Sequence, residues 1–180
     1  MEQSAFSRLR FSNRLPVGDS TNFNVINWHL IKFSGDKGQV AAILDNLKVQ
    51  YFGVDRNALS TDNLFFVKAT IDELQQIKQS LLHNNPQYLI DNTRDSLAAI
   101  DGKQVDDFVR IAGSGQAIYM DNLDFASKNG VQVRITEGTF KGVEGKILRV
   151  CGNKKVVVCI ANVVAVAIGF VPTNYIERIN

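Results

Sequence analysis

The stretch Val25-Ile26-Asn27-Trp28-His29-Leu30-Ile31-Lys32-Phe33 is dense in β-branched and aromatic residues and stops at Ser34-Gly35-Asp36, which predicts a strand and a turn. Val40, Ile43, Leu44 and Leu47 then recur at helical spacing. Residues 49–54, with Tyr51 and Phe52, read as a second strand, and Leu64-Phe65-Phe66-Val67-Lys68-Ala69 as a third after the polar stretch 55–63. Thr70-Ile71-Asp72-Glu73 has the residues of a capping box, and Ile71, Leu74, Ile77 and Leu81 keep one helix face apolar until Asn84-Asn85-Pro86. Tyr88-Leu89-Ile90 and Leu97-Ala98-Ala99-Ile100 flank a polar turn and predict a hairpin; Val105, Phe108, Val109 and Ile111 predict a short helix. This order predicts an α+β domain over 25–111, an antiparallel sheet with helices packed on one face.

Beyond residue 111 the texture changes. Gly113-Ser114-Gly115 opens a stretch without regular pattern, which predicts a linker over 112–129. Val131, Val133 and Ile135 then alternate with Gln132 and Arg134, and further short strands are predicted at 144–150, 154–160, 163–168 and 175–179. Short strands this close together bury a core only by closing into a small β-barrel, predicted over 130–180. The unbroken run Val156-Val157-Val158-Cys159-Ile160 implies cover on more than one side. Residues 1–24 have no sustained period and read as a flexible tail.

An apolar fraction of 45% with 21% charged residues is that of a foldable soluble chain. Net charge is only +2, yet from Lys128 to Asn180 eight Lys/Arg oppose three Glu, leaving the remainder acidic. That predicts ends with different partners, or a basic end touching something anionic. The start of the chain lacks the apolar core of a secretion signal, and the longest aliphatic run, 163–171, is too short for a membrane-spanning helix. The expectation is a cytoplasmic protein with no membrane partner and with Cys151 and Cys159 reduced. Two thiols and two distant histidines make a poor metal site, and no cofactor is expected. Asp72/Glu73 and Asp106/Asp107 are acidic pairs of the kind helix first turns carry, and no nucleophile-base pattern stands out. The reading is therefore a binding protein, not an enzyme.

The stretch VQVRITEGTFKGVEGKILRV holds Gly138, Gly142 and Gly145, which permit a tight connection between two strands, with Gly145 allowing close approach of another backbone. It lacks the Lys-Ser/Thr ending of a phosphate-binding loop and enters a strand instead of a helix. Phe140, at the loop tip, either folds back as a lid on the barrel or projects to a partner. This stretch resembles the KOW motif of NusG-type transcription elongation factors and of some ribosomal proteins. Trp28 opening the first strand, LFFVKAT before a capped helix, and YLIDNTRDSLAAIDGKQVDDFVRI resemble the NusG N-terminal domain, so the resemblance covers about 26–179. Within that family the chain is most similar to specialised paralogues that antiterminate polysaccharide-synthesis operons in Bacteroides-type bacteria.

The resemblance implies a NusG-like N-terminal domain that docks on the clamp region of RNA polymerase through an apolar patch, and an SH3-like KOW barrel that recruits a second partner such as Rho or a ribosomal protein. It also implies contact with DNA or leader RNA. Where the family carries Pro-Gly-Tyr-x-Phe-Val, this chain has Asp62-Asn63-Leu64-Phe65-Phe66-Val67, and where the family has Trp-Tyr it has Trp28-His29. Either the polymerase-facing patch is altered or a divergent member keeps the dock.

The residues carried over to polymerase binding are Trp28, Tyr51, Phe52, Leu64, Phe65 and Phe66, with Trp28 and Phe66 alternatively core residues. Strand alternation puts Phe65 and Phe66 on opposite sheet faces; helices cover one, and an aromatic on the other is exposed or docked. With Phe65 on the docking face, Phe65→Ser weakens polymerase binding and spares thermal stability, and Phe66→Ser does the reverse. Arg94, Phe140, Lys141, Lys146, Arg149, Lys154 and Lys155 are candidates for nucleic-acid or partner contact; the alternative for the cations is the solvent side of a small barrel and a solvated turn. Arg8, Arg10 and Arg14 carry a weaker form of the same idea. Two other readings stand beside the first: a KOW-type RNA-binding or ribosome-associated module, and a structural adaptor without a nucleic-acid role.

Overall fold

The computed structural model describes residues 8–16, 25–54, 62–120, 130–161 and 163–179. Their backbone forms a mixed α+β fold, two antiparallel sheets with three α-helices among the described residues, in two units, Met1–Ile100 and Asp101–Asn180.

In the first unit the elements run β1 (Leu9–Ser12), β2 (Asn27–Ser34), α1 (Lys37–Asn46), β3 (Gln50–Val54), β4 (Asp62–Ala69), α2 (Ile71–Ser80), β5 (Gln87–Asp91) and β6 (Ser96–Leu97). Local chemistry starts both helices. The Asp36 carboxylate accepts from the Gln39 amide, and Thr70 and Glu73 form the reciprocal capping box. Asn85, in the left-handed region at φ 46°, turns the chain before Pro86. The sheet order is β1-β5-β2-β4-β3, with β6 beside β5. β2 and β4 pair along their whole length, and this register fixes the two faces. Ile31, Phe33, Phe65, Val67 and Tyr88 lie on the helix side, in one core with Val40, Leu44, Leu74 and Ile77.

Part of the expected tail is a strand. β1 pairs with β5, Leu9 opposite Asp91 and Ser12 opposite Tyr88. Four residues are too few to show alternation, so this strand is specified by its distant partner; residues 1–7 and 17–24 of the expected tail lie outside the described residues.

The second unit holds α3 (Gly102–Ala112), β7 (Ala117–Met120), β8 (Val131–Ile135), β9 (Glu144–Val150), β10 (Asn153–Ile160), β11 (Val164–Ile168) and β12 (Ile176–Arg178). Three expectations change here. The boundary falls after Ile100 instead of near Ile111, because α3 packs on β10 and β11. Residues 117–120 of the expected linker are a strand paired with β11, and 121–129 lie outside the described residues. The unit is also not all-β, since a helix completes its core. Its sheet runs β12-β8-β9-β10-β11-β7, with β12 and β7 at the ends of the pairing path.

Both faces of β10 and β11 are covered, as the unbroken aliphatic run required. On one, Tyr119, directly across from Val166, meets Phe108 of α3 with ring centroids 6.5 Å apart. On the other, Leu148, Val150, Val157, Ala165 and Ala167 form a second cluster. With the boundary at Asp101, three acidic residues outside α3 (Asp101, Asp121 and Asp124) also fall in this part of the chain and the charge asymmetry between the parts largely disappears. Residues through Ile100 carry ten basic and ten acidic side chains, and those from Asp101 carry ten and eight.

Candidate interaction surfaces

The aromatic residues expected to form an open patch are mostly enclosed. Phe65 is only 1% exposed and lies on the helix side, its ring 5.7 Å from that of Phe33 and 5.9 Å from that of Tyr51. Gly53 stands directly across from it on β3 and leaves room for the ring. The assignment of Phe65 to the docking face is therefore corrected: register turns it toward α1 and α2. Phe66 is on the opposite face, in a cross-strand row with Leu30 and Phe52, and is also fully buried. Trp28 and Leu64 are buried, with the Lys68 ammonium 5.8 Å from the Trp28 ring centroid. Of the six proposed polymerase contacts, only Tyr51 and Phe52, on β3 at the end of the sheet path, remain partly exposed.

His29, next to Trp28 but directly opposite Val67, lies on the helix side of the sheet. Its Nε2 donates to the Ala69 carbonyl at 3.1 Å, and Nδ1 is buried with no hydrogen-bond partner among the described residues. Burial pushes the imidazole below its usual pKa, only partly opposed by the bond to Ala69. The unfolded chain therefore binds a proton more readily than the folded one, and stability falls with pH below about 6.5, the ordinary histidine value. Urea unfolding midpoints between about pH 7.5 and 5.5 are expected to decline on acidification, and His29→Asn to flatten that decline.

The glycine loop is held by α3. Gly138 and Gly142 have φ of 78° and 87°, and Phe140 is buried, so it folds back and does not project as a partner contact. Lys103 Nζ donates to the Gly142 carbonyl at 3.0 Å and to the Asp107 carboxylate at 2.7 Å, which also accepts from the Glu144 amide at 3.0 Å. Arg110 donates to the Lys141 carbonyl at 2.8 Å and to the Thr139 carbonyl. The sequence reading missed this function of Lys103, Asp107 and Arg110. Their spacing of four and then three residues, which puts charged side chains on one stripe of a helix, was the available signal.

The cationic candidates are not one patch. Arg94 is exposed in the turn after β5, where the Asp91 carboxylate accepts from Arg8, from the Thr93 hydroxyl at 2.6 Å and from the Thr93 amide at 2.9 Å. The bonds from Arg8 and then Thr93 hold the Asp91 carboxyl well below the usual carboxylate range. Arg10 donates to Asn92, so β1 brings two of the three tail arginines to this turn. Lys141 is exposed in the glycine loop. Lys146 and Lys155 alternate away from Arg149 and Lys154, and Lys155 donates to the Gly169 carbonyl. Arg149 and Lys154 are exposed directly opposite each other, and neither has a hydrogen-bond or ion-pair partner among the described residues. Beside them is a groove of about 480 Å³ with Ile147, Val156, Ile168 and Ile176 in its lining and Phe170, 74% exposed, at its rim.

Among the described residues no group of His, Cys, Asp and Glu could hold a metal ion, and no helix is long and apolar enough to cross a membrane. Compared with family models, curated proteins and solved structures, the chain matches none.

Proposed function

We propose that the chain is a non-enzymatic cytoplasmic regulator of transcription elongation of the NusG type, its first unit docking on the clamp region of RNA polymerase and its second recruiting a further factor. The glycine loop carries this reading. It joins the first two strands of a meander whose last strand returns beside the first, with Gly138 and Gly142 in the left-handed region and Gly145 against the Val157 carbonyl. That placement agrees with the KOW resemblance of its sequence, and the α+β unit before it agrees with the order of domains the resemblance implies.

Polymerase contact then begins at Tyr51 and Phe52 on the sheet's edge. Trp28, Leu64 and Phe66 contribute only once their face is uncovered. In this reading Arg94, on its exposed turn, is the residue assigned to meet DNA or leader RNA. The factor acts by binding the processive enzyme more tightly than the paused one; a difference of about 1.4 kcal/mol changes their ratio tenfold. The test is transcription by purified host polymerase across a terminator, with the chain expected to raise read-through. Unchanged read-through together with RNA binding that weakens steeply with salt would instead favour the RNA-binding module.

A further inference from the structure

From the groove beside Phe170 we infer a docking site for an acidic peptide segment of a partner protein that carries one bulky apolar side chain. This names a partner class for the recruiting role proposed above, although the groove's chemistry does not depend on polymerase docking. Its lining takes in Asn153 and Lys154 at the start of β10 and none of the glycine-loop residues that Lys103 and Arg110 bond.

Three features specify the occupant. Ile147 and Ile176, partly exposed beside the buried Val156 and Ile168, offer an apolar anchor a seat, and Phe170 at the rim supplies a large surface for it to bury. The charged residues of the lining are Lys154 and Lys155, with no carboxylate among them. Next to the groove, Arg149 and Lys154 face each other across two strands without an anionic partner. Like charges placed directly opposite destabilise a strand pair, and a ligand carboxylate relieves that repulsion. Lys155, bonded to the Gly169 carbonyl, fixes the backbone immediately before Phe170 and so positions the rim. A single-stranded nucleic acid fits less well, because it stacks on successive aromatic rings and this lining has one.

The experiment is fluorescence anisotropy of the full chain with a labelled peptide of Asp and Glu surrounding one Trp. Comparison ligands replace the Trp by Ser or the acids by Lys, and an oligouridine of similar length tests for nucleic acid. The acidic Trp peptide is expected to bind the wild type, and Phe170→Ser, Lys154→Glu and Arg149→Glu each to weaken it at least about tenfold. All three side chains are exposed, and each charge reversal replaces a like-charge pair by an opposite-charge one, so thermal melting should not fall and weaker binding is not explained by unfolding. No binding to the wild type, binding indifferent to the three variants, or tighter binding of oligouridine each overturns the proposal. Because polymerase is absent from this assay, failure of polymerase docking leaves its result intact, and failure here leaves docking by the first unit standing.

Discussion

Phe65→Ser unfolds the first unit about 15 °C or more below the wild type. The ring is almost completely buried between Phe33 and Tyr51 and belongs to the core built with α1 and α2. Truncating a buried Phe to a methyl group costs about 3–5 kcal/mol, and a serine hydroxyl left without a partner adds to that. Each kcal/mol lowers the melting temperature of a unit this size by about 4–8 °C. Thermal melts of the full chain, followed by far-ultraviolet circular dichroism, measure the shift. An unchanged melting temperature would return Phe65 to an exposed docking face. Phe66→Ser is expected to be destabilising as well, since Phe66 is itself fully buried, so the two variants no longer separate dock from core.

Gly145→Ala costs about 3 kcal/mol, more than alanine at any glycine of the same loop. A β-carbon at Gly145 would stand 2.5 Å from the Val157 carbonyl oxygen, 3.1 Å from its carbon and 3.2 Å from Val156 Cγ1. Two of those atoms are backbone, so no rotamer change relieves the clash and β9 must part from β10. The strand-entropy gain of replacing glycine, below about 1 kcal/mol, does not offset it. Gly142→Ala serves as the comparison. Nothing lies within 4 Å of its β-carbon, and its penalty is that of a side chain at φ 87°, about 1–2 kcal/mol. Urea unfolding should rank Gly145→Ala below Gly142→Ala in stability; the reverse order would mean that β9 and β10 are not packed as described.

What was legible in the sequence follows the range of the interaction involved. The capping box at Thr70–Glu73 is made of bonds between residues three apart, and it appears where the sequence placed it, whereas Asp36, read only as part of a turn, caps α1. Close backbone approach at Gly145 was readable from the residue type, although its partner on β10 was not. β1 and β7 were missed because four residues carry no clear period and their partners, β5 and β11, are remote in sequence. The apolar stripe of α3 revealed that one side is buried without revealing which sheet buries it. Phe65 and Phe66 show the limit most clearly. Alternation puts neighbours on opposite faces, but only the register of β4 between β2 and β3 decides which one meets the helices. Among the site residues, Phe140 and the α3 contacts depended on that same tertiary placement, whereas the exposed positions of Arg149 and Lys154 at a hairpin end were open to local reading.

Terminator read-through by purified host RNA polymerase, measured over rising concentrations of the full chain, tests the central claim most directly. Read-through is expected to rise and saturate, as for a factor that binds elongating polymerase at one site. A flat response at concentrations well above that of the polymerase would contradict it.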